Sequence, residues 1–191
     1  MWPSRRRTAL APAVALTLAL AGCASAPPVP SATAASLDAP REWNGRFSVR
    51  LESDGPEGRQ EAATGRFSLL SRPTPAGRAL EVDLSSPLGQ ILAQGRRQPD
   101  GRSSLELSDG RRFEAGSLNG VLEQALGWPL PIERLPDWLD DRFQAVLERD
   151  AAGRAVLARD SGWRIEREPR RWTLTRPHPQ GRLLVVLLLD R

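Results

Sequence analysis

The chain has 191 residues, with 27 arginines and no lysine against 23 acids, and a formal charge of +4. Three of those arginines lie in the first 22 residues, which carry no acid, so the remainder holds 24 bases against 23 acids and almost no net charge. Without lysine there is no Schiff base, Ser-Lys catalysis or phosphate-gripping P-loop; one histidine and one cysteine cannot make a zinc cluster; and arginines interleaved with acids rather than aromatics argue against a nucleic-acid partner.

Arg5, Arg6 and Arg7 precede an almost unbroken apolar run from Thr8 to Ala21, too short for a mature membrane span. This is a secretory signal. It ends Leu20-Ala21-Gly22-Cys23, which resembles the bacterial lipoprotein box. That resemblance implies cleavage before Cys23, acylation of its thiol and of the new amino group, and export. Cys23 is the only cysteine, so no disulfide forms within the chain. Ala24 is not the aspartate that retains many such proteins in the inner membrane, so the outer membrane, with the body facing the periplasm, is expected. Residues 1–22 are read as signal peptide and residues 23–40, "CASAPPVPSATAASLDAP", as lipidated cysteine and Ala/Ser/Pro tether. Residues 41–191 are the size of one domain.

In that body, "NGRFSVR" (44–50) and "TGRFSLL" (64–70) share a glycine followed by alternation, placing Phe47 and Val49, then Phe67 and Leu69, on one face of two antiparallel strands. "ALEVDL" follows with Leu80, Val82 and Leu84 on one side. "QILAQG", "SSLEL", "RRFEA", "FQAVLER", "AVLARD", "WRIERE", "RWTLT" and "RLLVVLLL" complete eleven short strands, with hairpin signals at "PDG", "SDG", "AAG" and "PQG". Tight turns between many short strands predict a curved antiparallel meander or barrel. One interruption is helical: Ser117 caps a helix with Leu118, Val121, Leu122 and Ala125 on one face, stopped by Gly127 and Pro129. "PLPIERLPDWLDD" offers a second short helix with Pro136 in its first turn. Together they can lie over one mouth of the sheet as a lid.

Between "DLSS" and "QIL", Pro87-Leu88-Gly89 forms a turn with an apolar tip. Leu88 either folds back into the core or touches something apolar outside the protein.

Catalytic groups are sparse. His178 sits between two prolines without a partnered Ser or Cys. Asp140 and Asp141 could do acid-base work on a glycan, but adjacent acids at a helix end more often form a solvated face. No catalytic, metal or cofactor site is expected, and binding or transfer is favoured over enzymology.

The lipobox, the tether, "W-x-G-R-F-S-V-R", the second "G-R-F-S", "L-x-S-P-L-G" at 84–89, "L-G-x-P-L-P" at 126–131, "W-L" at 138–139 and "G-W-x-I" at 162–165 resemble, in order, the LolB family of outer-membrane lipoprotein receptors. The resemblance implies a mainly β fold with a few helices: an incomplete, unclosed antiparallel β-barrel with a helical lid over an apolar cavity. It implies a monomer that accepts lipoproteins from the soluble carrier LolA by their acyl chains and passes them to outer-membrane lipid. The turn Pro87, Leu88 and Gly89 takes the place of the membrane-insertion loop. Phe47, Val49, Phe67, Leu69, Val82, Leu84, Trp128, Trp138, Leu139 and Trp163 are the large apolar residues proposed for the cavity. One departure stands out: after Trp138-Leu139 the family pattern has glycine and proline, whereas this chain has Asp140-Asp141-Arg142. A lipid-anchored scaffolding protein with a solid β core is the alternative reading.

Overall fold

The two G-R-F-S segments lie side by side. The computed structural model describes residues 39–53 and 59–190, the side chains of 59–62 excepted; the expected signal peptide, Cys23 and tether up to residue 38 lie outside them. Strands β1 (Arg41–Glu52) and β2 (Arg59–Thr74) pair antiparallel, so that Gly45 faces Phe67 and Phe47 faces Gly65. Each glycine leaves the space that the other copy's ring fills. A Cβ on Gly45 would stand 2.9 Å from the Phe67 ring, and one on Gly65 would stand 3.0 Å from the Phe47 ring and 2.2 Å from the Ser85 carbonyl oxygen. A ring laid over a strand glycine restores packing that the missing side chain forfeits. Gly65→Ala is therefore expected to force β2 away from its neighbour and cost about 2–3 kcal/mol. The measurement is the urea midpoint; an unmoved midpoint would contradict the reciprocal packing.

The chain continues through β3 (Gly77–Ser85), β4 (Ile91–Arg97), β5 (Ser103–Leu107) and β6 (Arg112–Ala115) to α1 (Leu118–Leu126) and α2 (Leu135–Leu139). It then returns through β7 (Ala145–Arg149), β8 (Ala155–Asp160), β9 (Trp163–Arg167), β10 (Arg171–His178) and β11 (Gly181–Leu189). All eleven strands form one antiparallel sheet in the order β6-β5-β4-β3-β2-β1-β11-β10-β9-β8-β7. First and last strands meet, with Phe47 opposite Leu187 and Val49 opposite Val185. The edges β6 and β7 do not pair with each other. The sheet is an unclosed barrel, as expected, and β1 and β2 run beyond the 44–50 and 64–70 segments that alternation marked.

Period two sets the interior. Val49, Leu69, Val82, Ala93, Leu105, Ile165, Leu174 and Val185 are buried and carry one continuous apolar face from β5 around to β9. The helices close over that face. Ser117 is extended at φ −151°, and its Oγ accepts the Gly120 N–H at 3.0 Å, starting α1; Gly127 at φ +80° ends it. Leu118, Val121 and Leu122 are buried, and α1 packs on β4, β5 and β6. In α2, Leu135, Pro136 and Trp138 are buried.

Strand direction alternates around the sheet, so β1, β3, β5, β8 and β10 end at one rim, here called upper, with loops 86–90, 108–111, 161–162 and 179–180. The lower rim carries Arg41 and Arg78 at strand starts and Arg97, Arg149 and Arg167 at strand ends. Residues 116–144 pass from the lower end of β6 to the upper end of β7.

Candidate functional site

Between sheet and lid lies an apolar gap. Phe47 and Val49 from β1, Phe67 from β2 and Leu84 from β3 form one wall, with Leu174, Val185 and Leu187 beside them. Leu130, Pro131, Ile132 and Leu135 of the lid segment roof it. Its free volume is about 30 Å³, room for one water-sized guest. The lid residues fill the rest of the space between sheet and roof.

Four of the ten residues singled out in the sequence line this gap: Phe47, Val49, Phe67 and Leu84. Leu69 and Val82 are buried in the continuous core. Trp138 is fully buried under the lid, while Trp128 and Leu139 are partly buried against that core. Trp163 is buried with one side on a separate groove at the upper rim. The lining residues that the sequence did not single out are Leu130, Pro131, Ile132, Leu135, Leu174, Val185 and Leu187. The strands of Leu174, Val185 and Leu187 were evident; which face of "RLLVVLLL" turns inward was not, because an unbroken apolar run has no period.

The lid is fastened by ion pairs to the lower rim. Arg97 meets Glu133 at 3.1 Å and Arg78 meets Asp137 at 2.9 Å, while Arg134 and Arg142 each reach Asp137 at 2.8 Å. Arg41 and Arg142 hold Asp140, and Asp141 lies 2.7 Å from Arg167 and 3.3 Å from Arg149. Asp141 adopts φ +62° and accepts the Ala155 N–H at 3.2 Å. The acids expected as a solvated face are thus the lid's exit clamp, with side-chain exposures of 12% and 33%. Glu133 also caps α1, accepting the Leu118 N–H at 2.8 Å.

Asp160, with a side chain of zero exposure, ties the lid from above. Arg134 reaches it with two nitrogens at 2.7 and 3.2 Å, the Ser161 hydroxyl donates at 2.7 Å and the Gln144 N–H at 3.0 Å.

Leu88 points the other way. The Gly89 N–H donates to Ser86 O at 2.9 Å and the Ser86 N–H to Gln90 O at 2.8 Å, closing a tight turn with Pro87 at its second position and Gly89 at φ +89°. These bonds hold Leu88 outward at 92% exposure, with Ile91 and Leu92 also exposed beside it. The apolar tip is therefore surface and not core, and Ile91 and Leu92 extend the exposed apolar area beside it.

Residues 41–181 match the family described as "Outer membrane lipoprotein LolB". The chain belongs to the LolB family. Similar proteins named outer-membrane lipoprotein LolB occur in Bordetella petrii (32% identity, covering 94% of this chain and 90% of the relative) and Cupriavidus metallidurans (36%, 86% and 78%). Another occurs in Azoarcus sp. (36%, 87% and 81%). The LolB match contains the lid, the Leu88 turn and the gap's β1–β3 wall; Val185 and Leu187 lie just beyond its end.

Proposed function

We propose that this chain is a lipid-anchored receptor of the outer membrane, acylated at Cys23, that accepts lipoproteins from LolA, shelters their acyl chains between sheet and lid, and inserts them into the membrane. Three chains of about fifteen methylenes each would cost about 36 kcal/mol to expose at roughly 0.8 kcal/mol per group, so a lipoprotein crosses the periplasm only with its tails covered. Apolar burial is non-directional and accepts varied cargo. Transfer needs no chemistry, only tighter binding than the carrier's and weaker binding than the bilayer's.

The observation that supports this reading best is the all-apolar contact between Leu130, Ile132 and Leu135 of the lid and the Phe47–Phe67–Val185 wall. The contact itself is free of polar groups, so acyl chains can replace the lid residues there once the Arg134–Asp160 pair and the rim ion pairs have let go. A solid scaffold core has no need of a separable roof, whereas here the roof is joined to the sheet by apolar contact within and by ion pairs at the rim.

The chain lacking residues 1–23 is expected to take up an apolar fluorescent probe saturably and to release it to a triacylated peptide. Ile132→Asp, which places a charge in the roof, should weaken uptake at least ten-fold. Absence of saturable uptake by the unaltered chain would refute the cavity.

A further inference from the structure

We propose that the upper rim, besides Leu88, carries a seat for the anionic headgroups of a phospholipid surface, built on Arg159 and Arg176. The proposal rests on the reading of Leu88 as the membrane-entering residue.

A groove of about 670 Å³ opens at this rim between the ends of β8 and β10 and the starts of β9 and β11, and four arginines line it: Arg159, Arg164, Arg176 and Arg182. Two are already matched by carboxylates. Arg164 holds Glu166 at 2.8 Å and Arg182 holds Glu52 at 2.5 Å. Asp160 also borders the groove, but its charge is answered by Arg134. For Arg159 and Arg176, no carboxylate lies within ion-pair distance among the described residues; Arg159 is exposed, and Arg176 rests over the Trp163 ring at 6.0 Å. Packing on an aromatic face steadies a guanidinium while leaving its edge free to donate.

Among the described residues the groove therefore presents two forks without a carboxylate partner, suited to phosphate oxygens. Its place in the fold selects the partner. β8 and β10 end at the same rim as β3, so the groove and the Leu88 turn share the upper rim. When Leu88, Ile91 and Leu92 enter a bilayer, this rim meets the headgroup layer. An apolar wedge joined to unmatched basic side chains is the combination by which peripheral proteins hold anionic membranes.

The test uses the mature acylated chain in vesicles. Its only native cysteine carries the anchor, so a thiol introduced at exposed Gln180 or Gln90 can bear a fluorophore, read against a quencher on lipid headgroups. One vesicle set is phosphatidylcholine; the other mixes in phosphatidylglycerol. Quenching at Gln180 is expected to be several-fold stronger with the anionic lipid. In Arg159→Gln/Arg176→Gln that excess should vanish, at about five-fold in membrane-facing population per arginine, while the urea midpoint and the Gln90 signal persist. If Gln180 ignores lipid charge, or the double variant changes nothing, while Gln90 still reports contact, the seat is refuted and the reading of Leu88 stands. If the lipid response survives but transfer from the carrier slows, the groove serves an acidic protein instead and the proposal falls. Silence at both positions in every vesicle would refute the Leu88 reading, and the seat with it.

Discussion

A Leu88→Glu chain is expected to fold, bind the apolar probe and receive lipoprotein as the unaltered protein does, yet to release that cargo into membranes about a hundred-fold more slowly. Nothing inside the barrel depends on this side chain, which is 92% exposed at the tip of a turn closed by backbone hydrogen bonds. Replacing it should shift stability by under about 0.5 kcal/mol. Delivery is different. Moving a leucine from water into lipid yields about 1.5–3 kcal/mol, and a carboxylate resists the same step by a comparable amount. The swing is about 3–6 kcal/mol, so two powers of ten is its lower end. The decisive assay follows acylated cargo from the loaded protein into vesicles, beside urea unfolding. Loss of the folded state would place Leu88 in the core; unchanged transfer would leave the exposed tip without a role. Leu88→Ile, retaining the apolar volume, should transfer nearly normally.

Removing the carboxylate of Asp160 is expected to have the largest effect on stability: Asp160→Ala should lose about 3–4 kcal/mol, lowering the melting temperature by about 10 °C in a domain of this size. The carboxylate is the common acceptor for Arg134, Ser161 and the Gln144 N–H, and no water reaches it. Burial alone would raise its pKa. The hydrogen bonds from Arg134 and Ser161 reverse that, aided by the Trp138 indole N–H, which is buried beside it without a hydrogen bond of good geometry, and by the Gln144 N–H, so the pKa ends below the ordinary aspartate value. Asp137 shifts the same way: burial raises its pKa, and the bonds from Arg142 and Arg78 outweigh burial. Because both carboxyls are more acidic in the folded chain than in the unfolded one, their stabilisation is complete above the unfolded value near 4 and is lost as pH falls below it. The urea midpoint should thus hold between pH 7 and 5 and drop steeply below 4, less steeply in Asp160→Ala. A midpoint of Asp160→Ala within 1 kcal/mol of the unaltered chain would show that the lid does not depend on this contact.

Short-range features were legible in the sequence. Alternation plus Gly-bearing turns located the eleven strands, and Ser117 and Gly127 marked the ends of α1, because strand faces and helix caps are decided by residues a few positions apart. The Leu88 turn was legible as a turn, while its outward direction needed the hydrogen bonds around Ser86. What escaped was set by register between distant segments. Arg41 meets Asp140 and Arg134 meets Asp160 only because the curved meander and the crossing lid bring them together. The charges of "DWLDDR" were visible, but their partners were not. The gap was half legible for the same reason. Phe47 and Phe67 stood out by their motif, whereas Leu174 and Leu187 are ordinary strand residues until pairing to Ile165 and Phe47 turns them inward. Large aromatic residues such as Trp138 and Trp163 drew attention by size, yet size does not say whether a ring borders a void or fills one.

Arg41 opens β1 at the lower rim, so the polypeptide enters the barrel at the pole opposite Leu88. Residues 24–40 can reach at most about 60 Å when fully stretched, while the twelve residues of β1 run about 40 Å. If Cys23 carries the proposed acyl anchor, that contour length exceeds the distance from the point of entry to Leu88. On that proposal one anchored body presents opposite poles in turn, the leucine first towards arriving cargo and then towards the leaflet.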